Sequence, residues 1–136
     1  MRALLFILIC IRTVFANDVA LESAIFNKVI IAVTTKEYPE VYIYKENKAL
    51  EQFPGKLKIV NSCKEADIVI ITTLKNLPEA CKEKILFGTR YSHLRDNRVV
   101  GAFFWQKGRP NILFYKRRLE RYNIKLDASF DKYIEK

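Results

Sequence analysis

Two side chains of this sequence could in principle form a catalytic couple, with Cys81 as the nucleophile and His93 as its base. Such a couple also needs a group that orients the base and an oxyanion hole, and no pattern in the chain supplies either. Apart from Cys10 in the apolar N-terminal run, the sequence offers zinc only Cys63, Cys81 and His93, and these lie far apart without the spacing of a zinc site. We therefore expect Cys81 to be a structural thiol, and we predict neither a catalytic residue nor a metal site.

Glycine, serine and acidic residues give no catalytic signature either. The glycines are isolated, so no glycine-rich phosphate loop follows any strand. No serine stands in the Gly-x-Ser-x-Gly pattern of a nucleophile elbow. Most acidic residues lie beside Lys or Arg, which is typical of solvated helix surfaces. We predict that the protein is not an enzyme and needs no cofactor.

Hydroxyl and guanidinium groups follow two of the predicted strands. Thr72 and Thr73 come after the third strand, and Thr89 and Arg90 come after the fourth. Ligands of open α/β sheets bind outside the carboxyl ends of the strands. These four side chains, with a free backbone N–H near Gly88, could hold a small anion. Ordinary turn chemistry is the alternative explanation of the same residues.

Aromatic and basic side chains flank the tip of a predicted hairpin. If they are exposed, they would form an anchor for a protein partner. If the aromatic rings are buried, they belong to the core instead, and the sequence leaves both alternatives open. The residues are Phe104, Trp105, Arg109 and Tyr115.

The first sixteen residues have the pattern of a secretory signal peptide. Arg2 gives a positive start, residues 3–11 are apolar, and Val14 and Ala16 are the small residues before a cleavage site. The apolar run is shorter than the roughly 20 residues that span a bilayer. We predict a signal peptide over 1–16 and a single exported domain over 17–136, located in the periplasm. An uncleaved anchor or a buried N-terminal strand is the alternative.

Charge and composition limit the chemical classes of partner that such a domain would bind. Half of the residues are hydrophobic and the net charge is +9; loss of Arg2 and Arg12 with the signal peptide leaves +7 on 120 residues. This length suffices for one hydrophobic core. The basic stretch 116–121 could contact nucleic acid, but Leu119 and Tyr122 fit the buried stripe of a helix whose other faces are solvated. Outside the cytoplasm, the excess charge favours acidic protein surfaces or small anions, and we expect no nucleic acid.

Alternating strand and helix patterns predict an α/β fold. Ile68–Ile71 is a run of four apolar residues, which indicates a strand buried on both faces. We predict a single three-layer domain with a mainly parallel sheet, an antiparallel C-terminal hairpin and flanking helices. The predicted helices cover 18–34, 45–53, 78–84 and 116–122, with a last helix from Asp127. The predicted strands cover 41–44, 57–60, 67–72 and 85–87, and the hairpin covers 98–105 and 111–115.

Whether Cys63 and Cys81 form a disulfide stays open. An exported location permits the bond. The predicted strand and helix between them advance by different distances per residue, so the two thiols could lie at different heights. Two partly buried free thiols are the alternative.

Several segments, taken in order, resemble the YfiR-type family of small periplasmic regulators. The chain departs from the family in its shorter length, in a single glycine at Gly101 and in a smaller set of cysteines. The resemblance implies an α/β periplasmic domain without enzymatic activity, in which Gly101, Gly108 and Arg109 shape the hairpin. The segments are Leu21–Lys28, Cys63 before Ile68–Ile71, Val100–Phe104, Gly108–Phe114 and Asn123–Leu126.

The resemblance also implies a function. A member of this family binds the periplasmic part of an inner-membrane signalling protein, such as a diguanylate cyclase, and holds it inactive. We therefore expect a non-enzymatic periplasmic regulator or sensor. The alternative is a small periplasmic module that binds an anionic ligand and is related in architecture to one lobe of a solute-binding protein.

Overall fold

The structure is a computed structural model that describes the backbone from Arg2 and the side chains from Asp18 to Lys136. The predicted signal peptide therefore lies outside the residues whose side chains are described. The helices are α1 (Arg2–Thr34), α2 (Lys48–Gln52), α3 (Glu79–Lys82) and α4 (Lys116–Arg121). The strands are β1 (Glu40–Tyr44), β2 (Lys58–Val60), β3 (Ile68–Ile71), β4 (Ile85–Gly88), β5 (Val99–Gln106), β6 (Arg109–Tyr115) and β7 (Ile134–Glu135). Short 3₁₀ helices cover Cys63–Glu65, Tyr91–Arg95 and Ala128–Tyr133.

One sheet joins all of these strands in the order β2-β1-β3-β4-β5-β6-β7. The pairs from β2 through to β5 are parallel, whereas β5 and β6 form an antiparallel hairpin. The order 2-1-3-4-5 is that of a doubly wound sheet, in which the chain reverses its direction of travel between β1 and β3. The predicted α/β fold with a mainly parallel sheet and an antiparallel hairpin is confirmed.

Each face of the sheet carries its own hydrophobic core, which gives the three layers. All four residues of β3 are fully buried, as predicted, because alternate side chains enter opposite cores. Ile68 and Ile70 join the core beneath α1, and Val69 and Ile71 join the core on the other face. Helix α1 contributes Phe26, Val29, Ile30 and Val33 to the first core, at the helical spacing that the sequence shows.

The hairpin turn uses backbone angles that its sequence favours. Lys107 and Gly108 both have positive φ, at 53° and 74°. Two positive φ values in a two-residue loop match the twist of a β-hairpin, and a glycine adopts them without steric cost. The turn sets β6 against β5 so that Arg109 faces Gln106 and Pro110 faces Trp105.

Two predicted helices differ from the structure. The helix predicted over 45–53 begins only at Lys48, because Lys45 has a positive φ and the Asn47 side chain caps the helix by accepting from the Leu50 amide at 3.1 Å. The last predicted helix is a 3₁₀ helix followed by β7. A repeat of three residues also places Phe130 and Tyr133 on one side, so the apolar spacing fits both kinds of helix.

The two cysteines whose pairing the sequence leaves open form a disulfide. Cys63 and Cys81 are bonded, with their Cα atoms 5.0 Å apart. Residues 72–78 carry the chain back before α3 begins, and so the two thiols reach the same height. The bond ties the 3₁₀ helix before β3 to α3, inside the second core.

Candidate partner-binding edge

The carboxyl ends of the parallel strands share one edge of the sheet, which we call the carboxyl edge. In doubly wound folds, ligands usually bind at this edge in the crevice where the strand order reverses, which here lies between β1 and β3. Here the Thr72 hydroxyl, which follows β3, donates to the backbone carbonyl of Glu46, which follows β1. The Thr73 hydroxyl accepts from the Lys75 amide at 3.2 Å. The hydroxyls predicted to bind an anion at this crevice are thus engaged in bonds within the protein.

The groups after β4 are also engaged, through His93. The Thr89 hydroxyl donates to the Ile71 carbonyl at 2.9 Å. The amides of Thr89 and Arg90 both donate to Nδ1 of His93, at 3.1 and 3.2 Å. The backbone N–H predicted to be free near Gly88 is not free, because His93 accepts from the two amides that follow that glycine.

His93 is held in its neutral form by this arrangement. Its side chain is buried, and Nδ1 must be unprotonated to accept two N–H donors. Burial lowers the pKa of His93, the positive charge of Arg90 lowers it further, and a hydrogen bond to the backbone of Thr72 opposes the shift. The His93 side chain packs closely against β4. A Cβ placed on Gly88 would lie 2.8 Å from the His93 Cβ and 3.2 Å from Nδ1 of the ring.

An open cavity of about 310 Å³ lies at the carboxyl edge between the ends of β4 and β5, and we call it the edge cavity. It brings together members of both predicted groups, since Thr89 and Arg90 line it with Phe104 and Trp105. Tyr91 and Gln106 complete the lining. No residue pattern singled out these two, because their place depends on where the 3₁₀ helix Tyr91–Arg95 crosses the end of β5.

Trp105 is the most prominent aromatic residue of the cavity. Its side chain is 41% exposed, so the alternative of a buried core residue does not hold for it. The ring packs edge-on against Phe103, with centroids 5.9 Å apart, and the indole lies near the Glu22 carboxylate on α1. Burial raises the pKa of Glu22, and the nearby Trp105 indole acts in the opposite direction. Trp105 is thus exposed and yet fixed in orientation.

The opposite wall of the cavity is formed by Tyr91 and Phe104. Their rings meet edge-to-face at 5.4 Å. Tyr91 is 58% exposed, whereas Phe104 is buried and belongs to the second core. Arg90 is exposed beside them, and among the described residues no carboxylate lies within 4 Å of its guanidinium. The cavity therefore combines two exposed rings with an unpaired cation.

Two of the predicted partner-binding residues lie away from the edge cavity. Arg109 is exposed in a separate hollow at the hairpin tip, with Lys107 and Asn111. Tyr115 is partly buried under Arg118, whose guanidinium carbon lies 4.3 Å from the centre of its ring. The structure thus brings together Thr89, Arg90, Phe104 and Trp105, and it leaves Thr72, Thr73, Arg109 and Tyr115 outside the cavity.

The groups considered for catalysis are engaged in other bonds. Cys81 is bonded to Cys63, so its sulfur is not a free nucleophile, and His93 uses Nδ1 for two backbone amides. Within the described residues, no three His, Cys, Asp or Glu side chains group as metal ligands do. A helix that is both long and apolar enough to cross a membrane is likewise not found in that part of the chain.

The fold and the carboxyl edge define a small α/β protein with a doubly wound sheet and an aromatic and basic surface cavity. A comparison with known protein families, curated proteins and solved structures finds no match to this chain.

Proposed function

We propose that the chain is a non-enzymatic periplasmic regulator that binds the periplasmic part of an inner-membrane signalling protein, such as a diguanylate cyclase. The edge cavity is the surface that meets this partner. The resemblance of the hairpin and its flanking segments to the YfiR-type regulators supports this class of partner.

The observation that carries the proposal is the exposure of Trp105 together with its fixed orientation. Binding anchors are enriched in Trp, Tyr and Arg, and the edge cavity presents Trp105, Tyr91 and Arg90 side by side. The contacts to Phe103 and Glu22 hold the indole in place before a partner arrives, so little side-chain entropy is lost on binding. A net positive charge on the chain favours a partner whose surface is acidic.

The disulfide supports the location. Disulfides persist in oxidising compartments such as the bacterial periplasm, and they are rare in the cytosol. The Cys63–Cys81 bond fits the predicted export. N-terminal sequencing of the native protein tests this part separately: we expect it to begin at Asn17, and a cytoplasmic protein that begins at Met1 would overturn the location.

The experiment is a binding measurement with the periplasmic domain of a membrane-bound diguanylate cyclase. We expect Trp105→Ala to weaken binding about thirtyfold, since an aromatic anchor contributes about 2 kcal/mol or more. In cells, the same substitution should release the activity of the partner enzyme.

Phe53→Ala is the matched control. Phe53 is 48% exposed, close to the value for Trp105, but it follows α2 and takes no part in the edge cavity. We expect Phe53→Ala to bind like the unchanged protein. If Trp105→Ala and Phe53→Ala bind equally well, the edge cavity is not the contact surface.

A small anion-binding module is the second candidate, and the unpaired guanidinium of Arg90 in the edge cavity favours it. Most hydroxyl and amide donors nearby already serve the protein's own backbone, so the cation would have to supply most of the binding. A thermal-shift screen with phosphate, sulfate and small carboxylates tests this candidate. Arg90→Ala should abolish any anion-induced rise in the melting temperature, and a screen in which no anion raises it would remove the candidate.

A further inference from the structure

We propose that His93 is a proton-operated latch that holds the Thr89–Tyr91 wall of the edge cavity in its present position at neutral pH and releases it in acid. The inference rests on the proposed function, because it assigns a regulation to the same binding edge. Its physical basis, however, is the geometry of one turn.

The latch consists of one acceptor atom and two donors. Nδ1 of His93 accepts from the amides of Thr89 and Arg90, at 3.1 and 3.2 Å, and these two residues line the cavity. When Nδ1 gains a proton it becomes a donor, and it then faces two N–H groups that cannot accept. Both hydrogen bonds are lost together, so the turn cannot keep its present geometry around a protonated ring.

The ring has little freedom to avoid this conflict. His93 is 6% exposed, and β4 packs against it so closely that Gly88 has no space for a side chain. The Ala102 side chain on β5 also lies beside Gly88, at 3.3 Å from its ideal Cβ position. Its burial and the close approach of β4 thus restrict rotation of the ring, and we expect the turn between Gly88 and His93 to be the part that moves.

The charges around the ring also favour its neutral form. From the turn, Arg90 is the charged group that acts on the ring, and it disfavours a second positive charge. The groups that reach His93 from β4 and from the end of β3 are Gly88 and the backbone of Thr72, which are uncharged. On its own 3₁₀ helix, Tyr91 and Arg95 are exposed and no residue is acidic, and Asp96, which follows the helix, is paired with Arg98. No carboxylate among the described residues forms an ion pair with His93 that would stabilise its protonated form.

Opening of this wall alters the binding surface directly. Tyr91 follows the two latched amides and packs against Phe104, so a change in the turn moves one of the two exposed rings. A partner that binds the cavity in its present shape is therefore released by acid. We expect its affinity to fall about fivefold or more between pH 7.5 and pH 5, within the usual range of coupling between two linked events.

The first experiment observes the latch without a partner. His93 is the only histidine of the chain, so its ring nitrogens can be assigned in the NMR spectrum without ambiguity. At pH 7.5 we expect Nδ1 to carry no proton and the amides of Thr89 and Arg90 to be protected from hydrogen exchange. On acidification, the ring should titrate and both amides should lose their protection at the same midpoint, while the amide of Ile70 in β3 stays protected. Protection of Thr89 and Arg90 that persists at pH 5, or loss of all three together, overturns the latch.

His93→Asn is the matched variant. The Asn side-chain oxygen can accept a hydrogen bond near the position of Nδ1, but it does not titrate. We expect Thr89 and Arg90 to stay protected at both pH values in this variant, and partner binding to become independent of pH. If His93→Asn does not fold, the NMR titration and the amide protection of the unchanged protein still test the latch.

The outcomes separate the latch from the proposed function. A latch that opens in acid in a protein that binds no partner at any pH refutes the proposed function and leaves the latch standing. Partner binding that is equally tight at pH 7.5 and pH 5 refutes the regulation and leaves the proposed function standing.

Discussion

Cys63 and Cys81 are joined by a disulfide that links the 3₁₀ helix before β3 to α3, with their Cα atoms 5.0 Å apart. Both residues are buried, at 4% and 0% exposure, and both pack in the core on the face opposite α1. The bond closes a loop of 18 residues around β3, which is the centre of the parallel sheet.

We expect loss of this bond to lower the free energy of unfolding by about 3 kcal/mol, since a loop of this length restricts the unfolded chain by about that much. The measurement is denaturant unfolding of the protein with and without reductant, and of a variant that carries both Cys63→Ala and Cys81→Ala. Thiol titration of the unfolded protein before and after reduction confirms that two thiols were paired. Identical unfolding curves in the presence and absence of reductant would contradict the prediction.

Glu22→Gln should stabilise the protein at neutral pH. Burial raises the pKa of Glu22, so the folded state binds a proton more readily than the unfolded state, and stability falls as pH rises from the ordinary carboxyl value of 4.5 through the raised one. Gln has no charge to bury, and it keeps the shape of Glu beside the Trp105 indole. We expect a gain below about 1 kcal/mol at pH 7, reduced by solvent screening, that vanishes below pH 4.5. A thermal melt of both proteins at the two pH values measures it, and a gain that is equal at both would show that the charge is not its cause.

Much of the scaffold of the carboxyl edge could be predicted from local patterns. Four consecutive apolar residues can only be buried on two faces, and the positions after β3 and β4 follow from where the apolar runs end. Two apolar runs around a short glycine-containing link predict the hairpin. These features depend on neighbours in sequence, and the structure confirms them.

The remaining parts of the edge depend on contacts between distant segments. Strand β7 has two residues, and only its pairing with Phe114 and Tyr115 makes it a strand. The role of His93 depends on the tight turn after Gly88, and a lone histidine carries no signal of such a role. Trp105 and Phe104 are adjacent in sequence but point to opposite faces of β5, so one contacts Phe103 and the other contacts Tyr91.

Gly101→Ala should destabilise the hairpin that carries Trp105. A Cβ at this position would lie 2.5 Å from a ring carbon of Phe114 and 2.6 Å from the Leu113 carbonyl oxygen, and backbone cannot move aside as a flexible side chain can. We expect a loss of about 1–3 kcal/mol in the free energy of unfolding. Gly108→Ala is the control: it has open space but a positive φ, and should cost only about 1 kcal/mol. Denaturant unfolding compares the two, and an equal cost would mean that crowding at Gly101 is relieved by movement of β6.

Arg118 tests whether the basic stretch 116–121 is a binding surface or part of the fold. Its Nη1 lies 2.8, 3.2 and 2.9 Å from the carbonyl oxygens of Leu94, Asp96 and Val99, and so α4 is tied to the segment that enters β5. The predicted solvated helix face holds for Arg117, which is exposed, but not for Arg118, which is partly buried. We expect Arg118→Met to lower the free energy of unfolding by about 1–3 kcal/mol, because partly buried carbonyls lose their donor while the apolar packing on Tyr115 is kept.

Arg117→Met removes the same charge from an exposed position and should leave stability within about 0.5 kcal/mol of the unchanged protein. Denaturant unfolding of the two variants is the measurement, and equal stability of both would show that Arg118 does not hold α4 to the fold.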